Sequence, residues 1–267
     1  MPNIIFGTAG WDYKDWFGHF YPKKLDKSKK LEFYSKFFKI VEINSTFYNL
    51  PSESMIINWN NQVSKNFHFI VKIWQKVTHN LDESSLDENI FEFFSRLNPL
   101  KSKIFGFLLQ FPPWFKFSEN HLEKLKILLE KIPPNNNYII ELRDNSWYDK
   151  KILSEFINGE NVILGTTYMP KIIPYYLKNQ KRYYIRLIGD RKLTKFNRIQ
   201  RNQTKSVDHL YNKVIKLIEN PNIYEIFIIV NNHFQGAAPE SVNQLKRKFG
   251  LLFHNFSNQK NLTDFLV

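Results

Sequence analysis

The 267-residue chain has no cysteine, only nine glycines and twelve prolines, and no apolar run near the roughly 20 residues that a membrane span requires. The lack of cysteine excludes disulfides, thiolate nucleophiles, cysteine-held zinc and iron–sulfur clusters, so catalysis would have to use oxygen or nitrogen groups. The glycine and proline contents exclude a collagen-like or low-complexity chain. With 43% hydrophobic and 24% charged residues, the chain should bury roughly three quarters of its unfolded surface around one large core.

Positive charge is in excess. The chain has 38 Lys plus Arg against 25 Asp plus Glu, a formal net charge of +13. This surplus favours anionic partners, either nucleic acid or phosphorylated small molecules, although a compositional bias of the genome would also produce it. The N-terminal residues lack the basic region, apolar stretch and cleavage site of a secretory signal, so we expect a cytoplasmic protein with no membrane partner.

Short runs rich in Ile, Val and Phe alternate with stretches of helical periodicity. The runs predict eight strands, at Asn3 to Ala9, Ile40 to Thr46, His68 to Trp74, Ile104 to Phe111, Tyr138 to Arg143, Val162 to Tyr168, Arg182 to Gly189 and Tyr224 to Asn232. Eight such units in about 250 residues predict an α/β fold, a TIM-like (β/α)8 barrel that forms a single domain over residues 1–267. Pro170 and Pro174 interrupt the sixth unit, so its helix should be weak or missing.

Polar side chains occur near the C-terminal ends of most strands, which is where barrel enzymes place their chemistry. They are Glu42, Asn44 and Thr46 on one face of strand two, Lys72 on strand three, Gln110 on strand four, Glu141 and Arg143 on strand five, Arg186 on strand seven, and Asn232 and His233 at the end of strand eight. A charge inside an apolar strand is costly unless it is paired or faces a wet cavity. We therefore expect these residues to converge on one polar pocket; alternatively, they only satisfy one another inside the barrel.

Two loops carry further candidates. The loop after strand one is rich in aromatic residues, and Trp11 and Tyr13 are its candidates for stacking against a ligand, with packing as the alternative. The loop after strand seven is basic and contains Arg191, Lys192, Lys195, Arg198, Arg201 and Lys205. Barrels commonly bind phosphate with the loops after strands seven and eight, although a run of charge is often only a solvated surface.

Metal-ligand spacings are not found in the sequence. The seven histidines lack the paired spacing of a zinc protease, and no acidic loop resembles a calcium site. We therefore expect no metal site and no cofactor. His79 and His233 follow strands three and eight, where each is an acid–base candidate or a hydrogen-bonding loop residue.

Seven segments resemble the family known as domain of unknown function 72, the YecE-like proteins, and together they cover essentially the whole length. They are GTAGWDYKDWFGHFYP (7–22), VEINSTFYNLP (41–51), FHFIVKIWQKVTH (67–79), GFLLQFPPWF (106–115), IELRDNSWY (140–148), YYIRLIGDR (183–191) and IIVNNHFQGAAPESVNQL (228–245). The resemblance implies a TIM-like barrel whose polar motif residues include Glu42, Lys72, Glu141 and Arg186. Many relatives have histidine where this chain has Ile188, so a catalytic histidine on strand seven is not expected. The resemblance implies no activity.

Three functions remain open. The first is a hydrolase for a phosphate-bearing substrate, with nucleic acid included, in which Lys72, Arg143 and Arg186 neutralise charge and Glu42 or Glu141 moves the proton. The remaining candidates would bind substrate: Trp11, Tyr13, Asn44, Thr46, Gln110, Asn232 and His233. The second is a glycosidase with Glu42 and Glu141 as its carboxylates, which the separation of strands two and five disfavours. The third is a non-catalytic binder of single-stranded nucleic acid.

A stability expectation follows from the same cluster of charges. Several charges gathered in one pocket are seldom optimal for folding. We therefore expect Arg186→Met to leave thermal stability nearly unchanged or raised.

Overall fold

Eight parallel strands pair in chain order, and the first also pairs with the eighth, which closes the sheet into a barrel. The structure, a computed structural model, describes residues 2–254 and 256; the parts of the predicted domain at 1, 255 and 257–267 lie outside the described residues. The strands are β1 (Asn3–Ala9), β2 (Ile40–Ile43), β3 (His68–Lys72), β4 (Ile104–Gln110), β5 (Tyr138–Glu141), β6 (Val162–Tyr168), β7 (Arg182–Leu187) and β8 (Glu225–Val230). The predicted TIM-like barrel is confirmed.

Helices surround the barrel. They are α1 (Lys30–Ser35), α2 (Glu53–Gln62), α3 (Gln75–Thr78), α4 (Leu86–Arg96), α5 (Glu119–Lys131), α6 (Lys150–Ser154), α7 (Thr204–Ile218), α8 (Asn232–Gln235) and α9 (Ala238–Lys248). Short 3-10 turns occur at Lys14–Trp16, Lys27–Lys29, Ser45–Phe47, Asn98–Lys103 and Asn145–Trp147. None of the described helices has the length and apolar composition that crossing a bilayer takes.

The connection from β6 to β7 contains no helix, and all of its residues, 169–181, are described. Proline cannot donate the backbone hydrogen bond that a helix interior needs, and Pro170 and Pro174 both fall here. The segment is instead held close to the barrel, because the hydroxyl of Thr166 on β6 donates to the carbonyl of Tyr175 at 2.7 Å. The prediction of a missing sixth helix is confirmed.

The barrel has two apolar cores, because side chains along a strand alternate between its faces. The inner core lies inside the barrel. Its buried residues are Ala9, Ile40, Ile70, Leu108, Ile139, Ile163, Tyr184, Phe227 and Ile229. The outer core lies between the strands and the helices, with Leu122 and Leu125 of α5 and Val242 of α9 among its buried residues.

Several predicted strands were too long at their C-terminal ends. The predicted strand through Thr46 is wrong beyond Ile43, because the chain turns there into the 3-10 turn Ser45–Phe47. The fifth strand ends at Glu141 and the eighth at Val230, so Arg143 and Asn232 also lie beyond their strands. Arg143 still lies at the rim of the barrel, where its Nε donates to Glu141 at the end of β5.

Candidate active site at the barrel mouth

A polar layer covers the inner apolar core at the C-terminal end of the barrel. On five strands, an inward apolar or aromatic residue is followed two positions later by a buried polar one, as residues i and i+2 share a face. These pairs are Ile40 and Glu42, Ile70 and Lys72, Leu108 and Gln110, Ile139 and Glu141, and Tyr184 and Arg186. The regular alternation of the strands therefore builds this layer.

Arg186 lies at the centre of a buried ion network, which we call the Arg186 network and define as Glu42, Glu141, Arg143 and Arg186. The Arg186 guanidinium donates to Glu42 Oε2 from Nε at 2.8 Å and to Glu42 Oε1 from Nη2 at 2.6 Å. Its Nη1 donates to Glu141 Oε2, and Arg143 Nε donates to Glu141 Oε1 at 2.7 Å. The side chains predicted to converge do so. Most of them form hydrogen bonds and ion pairs with one another.

Charge pairing sets the pKa values of two members of this network, Glu141 and Arg186. Burial alone would raise the pKa of Glu141, but Arg186 and Arg143 outweigh it and hold that pKa far below the usual carboxyl range. Burial would lower the pKa of Arg186, but Glu141 and Glu42 raise it well above its ordinary value. Glu42 also accepts hydrogen bonds from Tyr184 at 2.7 Å and Asn44 at 2.8 Å. Glu141 therefore stays ionised, and both carboxylates are fully engaged.

Lys72 differs from the network because its ammonium forms no salt bridge with any carboxylate of the described residues. Its Nζ donates to Gln110 Oε1 at 2.7 Å and lies 3.5 Å from the centroid of the Phe47 ring. Burial, with a further contribution from Arg186, lowers the pKa of Lys72 to about 7. Lys72 is thus the group of the polar layer that can change its protonation state near neutral pH.

Three buried donors at the mouth lack a hydrogen-bond partner among the described residues: Arg143 Nη2, Thr167 Oγ1 and Asn232 Nδ2. Thr167 had escaped sequence reasoning, yet it is 1% exposed and lies beside Arg186 in the register of β6 and β7. The sequence pattern could have indicated Thr167, because Ile163, Gly165 and Thr167 share one face of β6 and Thr167 is the polar residue of that face nearest the C-terminal end.

Three predicted substrate-binding residues have partners within the protein. Asn44 donates to Glu42, and Gln110 accepts from Lys72 while its amide donates to the carbonyl of Phe111 at 3.0 Å. The buried Thr46 hydroxyl donates to the carbonyl of Lys72 at 2.6 Å, so the geometry favours a positioning role for Thr46.

Trp11 and Tyr13, the aromatic candidates, lie to one side of the network. Both line a cavity of about 550 Å³ whose wall includes Asn44 but no member of the Arg186 network. The Tyr13 hydroxyl donates to the carbonyl of Ala9 at 2.6 Å, and burial and the charge of Glu42 raise the pKa of Tyr13 to about 12.

Asn232 and His233 follow β8, which pairs with β1, so they lie on the same side of the mouth as Tyr13. Tyr13 and Asn232 both contact Trp16, and Tyr13 and His233 both contact Phe196. Asn232 Oδ1 accepts from the indole of Trp16 at 3.1 Å and from the Ala238 backbone at 2.8 Å. Partial burial lowers the pKa of His233, and so does the charge of Arg191. The ring of His233 packs edge-on against Phe196 at 4.9 Å.

His79 and the basic loop after β7 also lie near the mouth. Burial, with Lys72 and Arg143 nearby, lowers the pKa of His79 to about 4, so this imidazole is neutral at pH 7. In the basic loop, Arg201 pairs with Asp190. Four further loop cations are exposed: Arg191, Lys192, Lys195 and Arg198. Lys205, predicted to lie in this loop, is instead an exposed residue in the first turn of α7.

The residues that the structure describes include no group of three or more His, Asp or Glu side chains arranged to hold a metal ion. The acidic residues of the mouth, Glu42 and Glu141, are instead paired with arginine. Arginine side chains at a site of this kind can bind anions, and a lysine whose pKa is near 7 can transfer protons.

Comparison with solved structures supports the fold. A DUF72 family protein from Thermotoga maritima MSB8 superposes with a TM-score of 0.76 at 25% identity, covering 92% of this chain and 99% of that one. A DUF72 family protein from Enterococcus faecalis V583 gives a TM-score of 0.76 at 22% identity, covering 97% of this chain and 100% of that one.

Comparison of sequences shows the family. The chain is 26% identical over 269 residues to UPF0759 protein YunF of Bacillus subtilis (strain 168), covering 91% of this chain and 93% of YunF. It is 31% identical over 147 residues to UPF0759 protein YecE of Escherichia coli (strain K12), covering 55% of this chain and 51% of YecE. The family model described as "Protein of unknown function DUF72" matches residues 5–263. Since that match spans nearly the whole chain, the chain belongs to the DUF72 family.

Proposed function

We propose that this chain is a hydrolase that acts on a phosphate-bearing substrate at the C-terminal mouth of its barrel. The observation that carries the proposal is the set of buried donors Arg143 Nη2, Thr167 Oγ1 and Asn232 Nδ2, which have no partner within the described part of the chain. Native proteins pair nearly all buried polar groups. Donors left over at one mouth favour a ligand rich in acceptor oxygens, and phosphate is such a ligand.

Lys72 supplies the proton transfer in this proposal. A water oxygen attacks phosphorus, the bond from phosphorus to the leaving oxygen breaks, and one proton passes from the water to the leaving group. With a pKa of about 7, Lys72 is present as both amine and ammonium at neutral pH, so it can accept the proton from water and return it. Arg143 stabilises negative charge that develops on the phosphoryl oxygens.

Glu42 and Glu141 act as positioning residues in this scheme. The lowered pKa of Glu141 makes it a poor base, and Glu42 accepts four hydrogen bonds from Arg186, Tyr184 and Asn44. The proton-transfer role first considered for the two carboxylates therefore passes to Lys72. The same pairing disfavours the glycosidase alternative, because a glycosidase needs a carboxylic acid that is protonated near neutral pH.

Arg143→Met should reduce kcat/KM for a phosphate-ester probe by about 10² to 10³, the usual cost of losing one donor to transition-state charge. Glu141 keeps its bond from Arg186, so the variant should remain folded. The assay measures release of p-nitrophenol from p-nitrophenyl phosphate and bis(p-nitrophenyl) phosphate, with and without added Mg²⁺ or Zn²⁺. Arg182→Met is the control, because Arg182 starts β7 at the opposite end of the barrel. Equal rates for wild type and Arg143→Met would refute the assignment of Arg143.

A polynucleotide substrate is favoured by the exposed cations of the loop after β7. If these cations follow a single strand, the logarithm of affinity should fall with the logarithm of salt by about 0.7 per contact. Lys195→Glu with Arg198→Glu should weaken oligonucleotide binding across all sequences, since phosphate contacts do not read bases. The control is Lys36→Glu with Lys39→Glu, which changes the net charge by the same amount. These two lysines precede β2, at the N-terminal end of the barrel. Fluorescence anisotropy at several salt concentrations measures the effect, and similar losses from both pairs would reject this loop as the contact surface.

A further inference from the structure

Beside the mouth lies the cavity of about 550 Å³ that Trp11 lines, which we call the Trp11–Trp59 cavity. Its walls come from the loop after β1, the end of β2, the start of α1 and helix α2, which contributes Trp59 and Gln62. Small-molecule sites in proteins typically measure roughly 300 to 1,000 Å³. The volume therefore suits a single ring with its substituents.

The aromatic wall of this cavity is held in place by the backbone. Gly10 adopts a φ of +91°, which L side chains rarely adopt, and its N–H donates to the carbonyl of Glu42 at 2.9 Å. The hydroxyl of the buried Tyr21 donates to the carbonyl of Trp11 at 2.6 Å. The Trp11 ring then meets the Trp59 ring at 5.4 Å and an interplanar angle of 87°, so the two indoles form a corner.

The polar wall contains one ion pair, one exposed lysine and an unused acceptor. Gln62 Oε1 is buried without a hydrogen-bond partner in the described residues. The buried Lys30 ammonium is neutralised by Asp12, and Lys27 is exposed. The remaining polar side chains of the wall are amides and hydroxyls, with Asn58 and Ser45 among them. A buried acceptor requires a donor, so a neutral ligand that carries O–H or N–H groups fits this wall.

We propose that the Trp11–Trp59 cavity binds a neutral sugar ring. One apolar face of the sugar packs on indole, and a hydroxyl group donates to Gln62 Oε1. A nucleobase also has donors, but a flat base stacks best on an open aromatic face. A corner of perpendicular indoles fits the thicker, puckered ring of a sugar better. The proposal does not depend on the hydrolase, because no residue of the Arg186 network lines this cavity.

The test is binding of neutral glycosides to the full chain. The probes are methyl glycosides of glucose, galactose, mannose and ribose, with N-acetylglucosamine, and the nucleosides adenosine and uridine as the competing class. Saturation-transfer NMR detects contact, and titration calorimetry up to roughly 50 mM measures even millimolar dissociation constants. We expect at least one glycoside to bind and the nucleosides not to bind. Binding of nucleosides alone, or of no probe, would overturn the proposal.

Variants tie that binding to the cavity. Gln62→Met removes the acceptor at similar side-chain volume and should weaken glycoside binding about tenfold, the usual effect of one lost hydrogen bond. Trp11→Ala should weaken it at least as much, and this half-buried residue can be removed without opening the core. Asn61→Met, on the exposed neighbour of Gln62 in α2, is the matched control and should bind as wild type. Undiminished binding by both Gln62→Met and Trp11→Ala would overturn the proposal.

Discussion

Arg186→Met should lower the free energy of unfolding by about 3 to 5 kcal/mol at neutral pH, the usual cost of breaking a buried ion pair from one side. The physical reason is that Glu42 and Glu141 are both 0% exposed and share this one guanidinium. Without it, Glu42 loses its only paired cation in the network, and Glu141 keeps only Arg143. Urea denaturation of wild type and variant at constant pH measures the difference.

Two further variants separate this effect from a general loss of charge. Arg182→Met breaks the pair with Glu225 on the rim of the barrel, where the two side chains are 29% and 25% exposed, and should cost no more than about 1 kcal/mol. Adding Glu42→Gln and Glu141→Gln to Arg186→Met should recover part of the lost stability, because it removes the unpaired charges. A loss from Arg186→Met no larger than that from Arg182→Met would contradict the prediction.

The destabilisation should depend on pH. In wild type, the lowered pKa of Glu141 contributes stability above its unfolded value of 4.5, and this contribution is lost as pH falls below that value. In the variant, Glu141 lacks Arg186, so burial raises its pKa relative to wild type and less stability is lost as pH falls below 4.5. The difference in the free energy of unfolding between wild type and Arg186→Met should therefore be smaller at acidic pH than at pH 7.

This expectation reverses the one drawn from the sequence. From the sequence, Arg186 is one of several charges gathered in one pocket, an arrangement that is seldom optimal for folding, so its replacement by Met is expected to leave thermal stability nearly unchanged or raised. In the structure, Arg186 makes three hydrogen bonds to two carboxylates. The sequence cannot supply this pairing, because Glu42 and Arg186 are 144 residues apart along the chain.

The fold could be predicted further than the site. Strands β1 and β6 have the predicted bounds, because each is an apolar run that ends at a turn. Strand β2 was overextended because Asn44 and Thr46 continue the polar alternation into a 3-10 turn, where it no longer indicates a strand. Local periodicity therefore locates the strands well and their polar ends poorly.

Within the site, the sequence indicated which residues meet and left open which groups remain available to a ligand. Polar residues at the C-terminal ends of parallel strands must gather at one mouth, so convergence followed from the topology. Whether a side chain is available to a ligand depends on its partners in three dimensions. Glu42 and Glu141 are both paired with Arg186, whereas Arg143 Nη2 has no partner in the part of the chain that the structure describes. Tyr184 was overlooked because an aromatic residue on an apolar strand is usually core, whereas its hydroxyl donates to Glu42.

Lys72→Met should lower kcat for a phosphate-ester probe by about 10² to 10⁴, the usual contribution of one acid–base group. In wild type, the neutral amine must accept a proton from water, so the rate should rise with pH through about 7 and then level off. The control is Lys103→Met. Burial also lowers the pKa of Lys103, but its ammonium donates to the Val63 carbonyl at 2.7 Å at the other barrel end. That variant should lose stability and keep kcat.

The lowered pKa of Lys72 can also be tested without a substrate, by the pH dependence of stability and by direct titration. Because the folded pKa of Lys72 lies below its unfolded value of 10.5, the unfolded chain binds more protons between these values, and stability should rise with pH across that interval. Lys72→Met should remove this rise and leave stability near pH 7 unchanged or increased. NMR of the Lys72 ¹³Cε should show a titration near pH 7, against about 10.4 for an exposed lysine. Titration of Lys72 above pH 9, or full activity of Lys72→Met, would exclude it as the proton-transfer group, because its amine would then be either protonated at working pH or dispensable.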